Sequence, residues 1–172
     1  MLIDVPDGLL DHPVLGATIS ILREGTREWR GELGTPTPEL IVHQSYGGAH
    51  NIGAVLLHIG EAEAYWIHQV LAGEPEDKVL SATLLSAETE VGMGFWPVAP
   101  LEPLAFYMDK LDTIREHSLE ILRKETNPER VCQAGDVSFT VRWILAHVIA
   151  HESHHGGQAV LLHVAQTLRR DA

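Results

Sequence analysis

Four of the eleven histidines fall between positions 147 and 155, in the run Leu145-Ala-His147-Val-Ile-Ala-His151-Glu152-Ser-His154-His155-Gly-Gly-Gln158. Neutral imidazole is the commonest protein metal ligand and suits zinc, nickel, copper or iron better than magnesium or calcium. On a helix advancing about 100° per residue, His151 and His155 stand one turn apart and about 40° offset, so both can reach one ion. A single histidine on an apolar helix face reads as a satisfied core residue. Four together need more polar partners than this apolar stretch offers, unless a metal or a hydrogen-bond network supplies them.

The elements that must position these groups follow from periodicity and stop signals. Asp11 is a candidate cap for a first helix with Pro13 in its opening turn, and Val14, Ile19, Leu22 and Trp29 recur at roughly helical spacing until Gly31 and Gly34. A second helix is predicted from about His50 to Ala72, with Gly73 as its stop. The stretch from Glu74 to Pro100, rich in proline and glycine and carrying Phe95-Trp96, is expected to cover a site, with a short helix near 77–89. A third helix is predicted over about 103–126, and a fourth from about Ser138 to Arg170. No repeat or strand-like alternation competes. The expectation is one all-α domain over 1–172, an up-and-down antiparallel four-helix bundle.

Gly156 and Gly157 are the local objection to a continuous last helix, each costing about 1 kcal/mol against alanine. Ala146, Ala150, Ser153 and Gly157 form a face of small residues, which would let a helix of the same chain or of a second subunit approach closely. A homodimer is expected.

The second helix carries His58 on a stripe with Asn51, Ala54, Ala62, Tyr65 and Gln69. Helical bundles build metal sites from facing helices, so His58, His151 and His155 would make a three-histidine set. Three protein ligands leave a coordination position open for water or substrate, whereas structural zinc is normally closed by four.

The segment His58-Ile-Gly-Glu-Ala-Glu63-Ala-Tyr-Trp66, followed downstream by His151-Glu-Ser-His154-His155-Gly-Gly-Gln158, resembles the DinB/YfiT-like family of metalloenzymes, over nearly the whole chain. The resemblance implies an up-and-down bundle, often dimeric, holding a divalent metal through one histidine of helix two and a His-x-x-x-His pair of helix four. Carried over, the ligands are His58, His151 and His155. It also implies thiol-dependent S-transferase or isomerase chemistry in members with an assigned activity, and no DNA chemistry.

The same run spells HExxH, the zinc-protease signature, at His151-Glu152-Ser-His154-His155. Its missing part is the third, downstream ligand: on a continuous helix His163 lies about 12 Å further along. Only a break at Gly156-Gly157 would rescue it. Of the remaining residues, His147 is expected beside the site rather than in it, His154 in packing or an interface, and Gln158 either supporting a ligand or on the surface. Glu61, Glu63 and Glu152 are expected as solvated carboxylates. Cys132, in an irregular stretch without a nearby basic cluster, is not expected as a nucleophile, and Trp66, Phe106, Tyr107 and Trp143 are expected in the core.

Composition narrows the partners. With 45% hydrophobic and 21% charged residues the 172-residue chain suits an ordinary globular protein, and a formal charge of −12 disfavours nucleic acid and anionic membrane. One cysteine excludes an internal disulfide and Cys-rich zinc frameworks. The start lacks a secretory signal pattern and no apolar run approaches the ~20 residues of a membrane span, so the cytoplasm is the expected compartment. The functional expectation is a metal-dependent enzyme of the thiol S-transferase type. It would use zinc or nickel, with iron or manganese as alternatives, and act on a small electrophile with a low-molecular-weight thiol. The competing expectations are a metal-dependent hydrolase and a non-catalytic metal-binding dimer.

Overall fold

The computed structural model describes residue 10, residues 12–75, residue 78 and residues 95–170. It is mostly helical. Helix α1 (Pro13–Leu33) begins on Pro13, whose fixed φ suits a first helical position, and stops at Gly34, which takes φ 65°. Leu15, Ile19, Leu22, Trp29 and Leu33 form its buried stripe. The residue before it in cap position is His12, without a side-chain cap bond; the expected cap, Asp11, lies outside the described residues. A one-turn helix α2 (Pro38–Val42) follows.

Helix α3 (Ile52–Glu63) is capped by Asn51, whose side chain accepts from the Ala54 N–H at 2.9 Å. It does not stay α-helical to its end: Ala64–Leu71 widens into a π-helix before Gly73, at φ 72°, ends it. Helix α4 (Leu104–Leu122) follows Pro103 and stops four residues short of the predicted end. The prediction of no strands fails between α4 and the last helix. There, β1 (Val131–Ala134) and β2 (Val137–Thr140) form an antiparallel hairpin, with Val131 opposite Thr140, around a Gly135-Asp136 turn in which Gly135 takes φ 56°. Helix α5 (Val141–Arg170) then runs unbroken for 30 residues. The short helix expected near 77–89 lies outside the described residues, apart from Lys78.

Contact order along the helices gives their directions. Thr26 meets Glu152, Trp29 lies against Gly156, and Leu33 bonds His163, so α1 and α5 run parallel. Gly60 lies against Leu111 and Ile114, Glu63 meets Arg115 and His68 meets Ser118, so α3 and α4 also run parallel. Trp66 meets Trp143 while His58 meets His151 and His155, so α3 and α5 are antiparallel. The expected strict alternation therefore fails between α3 and α4. Parallel neighbours need a connection long enough to return along the helix, and the long stretch after Gly73 has that reach.

Two apolar clusters make the core. One joins Trp29 and Leu33 of α1, the first half of α3, Trp96, Tyr107, Leu111 and Ala159. The other joins Leu15, Ile19 and Leu22, Ile67, Leu71, Leu122, Cys132 and the start of α5. Thr26, Glu63, Arg115 and Glu152 fall between the two on their respective helices and meet there. Arg115 donates to both Glu63 oxygens at 2.8 Å and to Glu152, while Thr26 and Trp29 Nε1 donate to Glu152. Two carboxylates expected in solvent are thus buried, their side chains 4% exposed, on a guanidinium 13% exposed. The two carboxylates keep the Arg115 pKa above its ordinary value although burial opposes the charge.

Gly156 explains one of the two helix-interior glycines: a Cβ there would stand 2.5 Å from the Trp29 ring. The close approach within the chain is made by Gly156 and not by the predicted small face, since Ala146, Ala150, Ser153 and Gly157 are all exposed. Among the described residues no helix is long and apolar enough to cross a membrane.

Candidate metal centre

His58 sits on the face of α3 that packs against α5, and His151 and His155, one turn apart, project from α5 towards it. Their ligating atoms all lie within 4.8 Å of one another, and the Nε2 atoms of His58 and His151 approach to 3.1 Å. The edge of a tetrahedron of nitrogens around zinc is about 3.3 Å, from Zn–N distances of 2.0–2.1 Å. The separation therefore suits two nitrogens sharing one ion. All three residues named from the sequence are brought together.

A hydrogen bond behind His155, and a carboxylate beyond hydrogen-bond distance behind His58, face the nitrogens turned away from the centre. His155 Nδ1 donates to Gln158 Oε1 at 2.7 Å, which leaves the Nε2 lone pair free. The Gln158 amide nitrogen in turn donates to His154 Nε2 at 3.1 Å, fixing the amide orientation. Behind His58, Glu61 Oε2 stands 3.7 Å from Nδ1 and points that ring the same way. Burial, reinforced by the surrounding imidazoles, holds His151 down to about 3; burial likewise holds His155 down to about 4, against the Gln158 bond. Both rings are therefore neutral near pH 7, the form that binds metal. The imidazole donors, the neutral rings of His151 and His155 and the bonded Nδ1 of His155 fit a divalent metal ion.

Trp96 and His50 complete the surroundings, and of these the sequence gives no sign of His50. Trp96 is buried and meets His58 edge-on, with ring centres 5.3 Å apart, and His50 packs on Trp96 at 4.4 Å. Trp96 is fixed by its N–H to Gly48 O at 2.8 Å and by Gln44 Nε2 on its carbonyl at 2.9 Å. Gly48 takes φ 83°, and a Cβ there would stand 2.3 Å from the Phe95 ring. The expectation that the 74–100 stretch covers a site is met at Trp96. A cavity of about 330 Å³ adjoins this region, lined by Ser45, His50, Gln158, Leu161, Leu162 and Ala165, with Arg169 at its rim.

The other candidates sort by contact. His147 stands beside the site, stacked on Trp143 at 4.9 Å and 5.9 Å from the His151 ring. His154 is exposed rather than packed away, because its position on α5 turns it outward. Trp143, 41% exposed, is likewise not core, while Tyr107 is fully buried. Glu152 faces the Arg115 cluster, about 100° around the helix from His151. That offset is the one a protease's glutamate has, but both oxygens are taken here, by Arg115, Thr26 and Trp29, so Glu152 is not free to act as the base of an HExxH protease. His163 Nδ1 donates to the Leu33 carbonyl at 2.6 Å, and α5 has no break at Gly156-Gly157, so the protease's third ligand is missing as well. Cys132 is buried in β1, where burial pushes its thiol up, consistent with an inert side chain.

Mostly helical, with three imidazoles converging across two helices, the protein is of the helical class whose packed helices bring histidines together as a candidate metal centre. Within that class a family model for the DinB superfamily matches residues 21–159, and the chain belongs to that superfamily. None of the curated proteins compared with the chain matches it.

Proposed function

We propose that the protein is a metal-dependent thiol S-transferase acting on a small electrophile, its four long helices forming one bundle domain over 1–172. The observation that supports this most is the three-histidine set itself, with Nδ1 of His155 bonded to Gln158, Glu61 near Nδ1 of His58, and three protein ligands among the described residues. A divalent ion held there would lower the pKa of a thiol or a water reaching the open position, supplying a nucleophile near neutral pH.

The chain's own groups divide the remaining work. His58, His151 and His155 hold the ion, and Gln158 and Glu61 keep each ring's Nε2 aimed inward. Trp96 and His50 wall one side and exclude water from it. The adjoining cavity, with Leu161, Leu162 and Ala165 as apolar wall and Gln158 as polar contact, suits the hydrocarbon part of an electrophile. The exposed face of α5, with Trp143, Ala150 and Gly157 at seven-residue steps and then Leu161, Val164 and Leu168 at steps of four, three and four, is proposed as the seam of a homodimer.

Elemental analysis of untagged protein beside His58→Ala and His151→Ala tests the site. Each variant is expected to lose one equivalent of metal. Turnover with a panel of small thiols and electrophiles is expected to disappear with chelation and return with zinc or nickel. Equal metal content in all three proteins after reconstitution would overturn the site. Metal bound without turnover on any pair would overturn the transferase and leave an ion that only braces α3 against α5.

A further inference from the structure

A second set of donors lies at the other end of the same helical segment. His68, in the π-helix, Glu74, just past its end, and His117 of α4 place one ligand atom each within 4.8 Å of one another. His58 and His68 are ten residues apart on one helix, about 15 Å, so this set shares no ion with the first. π-helical turns are frequent at functional sites, because the wider turn moves a side chain out of the α register.

His117 lies between two carboxylates and bonds one of them. Nε2 stands 2.7 Å from Glu74 Oε1 and Nδ1 stands 3.6 Å from Glu120 Oε2, so a carboxylate faces each ring nitrogen. A neutral imidazole has one N–H and can satisfy one of them. Glu120 is exposed to solvent and stands beyond hydrogen-bond distance, so the Nε2 proton towards Glu74 is the one a bound ion would replace. The neighbouring His68 ring meets His117 edge-on at 4.5 Å, is buried, and bonds Ser118 Oγ through Nε2 at 3.0 Å and the backbone at Ile114. Lys78 also reaches Glu74, at 2.7 Å, from the exposed side. The imidazoles of His68 and His117 beside the Glu74 carboxylate suit a borderline cation, which would share Glu74 with the Lys78 ammonium.

Two imidazoles and one carboxylate are a donor set used for zinc and for ferrous iron, with positions left open. The open side here is a cavity of about 470 Å³, lined by Glu74, His117, Glu120, Lys124, Glu125 and Arg130 among others. We propose that His68, Glu74 and His117 form a second, independent site for a first-row divalent cation of the zinc class, with its open position facing this cavity. The ion would tie the exit of the π-helix to α4, with Glu120 accepting from His117 Nδ1 in the way metal-bound histidines are usually oriented.

The test uses full-length protein carrying His151→Ala, which disables the first site, and Co²⁺ as the probe. The expected result is one remaining equivalent of Co²⁺ with visible absorption of a nitrogen- and oxygen-ligated ion. Adding His117→Ala should abolish it, and adding Glu74→Gln should weaken it at least tenfold. Circular dichroism and urea midpoints check that the variants fold, and Glu74→Gln keeps the side-chain shape should His117→Ala disturb α4. The second site is overturned if the His151→Ala protein binds no Co²⁺, or if its binding is unchanged by Glu74→Gln and His117→Ala. Neither result depends on the three-histidine centre being functional.

Discussion

His151 and Glu152 are neighbours in sequence and stand on opposite sides of an argument about buried polar groups. Glu152 ends in a cluster whose needs are met from within: Arg115 bridges it to Glu63, and Thr26 and Trp29 donate to its other oxygen. His151 ends among imidazoles, its Nε2 3.1 Å from that of His58, with no carboxylate or guanidinium among the described residues to complete the set. Both clusters tie helices together in the middle of an otherwise apolar core. The first is complete without a ligand, and the second has acceptors converging where a cation would sit. Satisfaction by partners, not residue type, separates a structural polar cluster from a binding one.

Removing the cation from the complete cluster should have the largest effect. Arg115→Met leaves Glu63 and Glu152 buried without their partner, a loss of about 3–5 kcal/mol in urea unfolding, while protein that remains folded keeps its metal equivalents. A loss below 1 kcal/mol would mean that solvent reaches the two carboxylates and would break the comparison. The two glycines of α5 offer a smaller contrast. Gly156→Ala presses on Trp29, which carries one of the bonds to Glu152, and should cost about 1–3 kcal/mol. Gly157→Ala meets nothing within 4 Å and should stabilise the helix by up to about 1 kcal/mol. Thermal melts of the pair check the sign. If Gly157→Ala instead lowers the melting temperature in a concentration-dependent way, the exposed face of α5 is a subunit contact.

The helices and the three histidines were legible because both signals are local. Apolar spacing, Pro13, Gly34 and Gly73 mark element ends, and the i, i+4 offset puts His151 and His155 on one face. What was not legible depends on partners distant in sequence. Glu63 and Glu152 look like surface carboxylates until Arg115 arrives from α4, and nothing near Arg115 in the chain announces it. The parallel course of α3 and α4 is likewise set by a connection whose path has no periodic signal. Trp96 reaches His58 from 38 residues away, and only its place in a proline- and glycine-rich stretch hinted at a cover. The hairpin is a different case. Val-Cys-Gln-Ala-Gly-Asp-Val-Ser-Phe-Thr carries a two-residue Gly-Asp turn between short runs with β-branched residues, a recognisable hairpin signal. It was overlooked because four-residue strands are too short for alternation to stand out against helical surroundings.

The smallest expected effect asks whether the histidine cluster is oriented as closely as the ionic one. Gln158 touches no metal in the proposed centre, yet its Oε1 accepts from His155 Nδ1 and thereby decides which nitrogen is left to bind. Gln158→Leu removes that acceptor at similar volume and should weaken metal affinity by 10–100-fold, as loss of such outer partners does elsewhere. Because Gln158 is only half-buried, unfolding of the metal-free protein should change by less than about 0.5 kcal/mol. Gln158→Glu restores an acceptor for the same N–H and should recover the affinity, measured by competition with a chelating dye. Recovery by Glu but not by Leu assigns the effect to ring orientation. Equal affinity in all three proteins would mean that His155 is aimed by packing against Trp96 and His58 alone, and that the cluster needs no hydrogen bond to pre-set its tautomer.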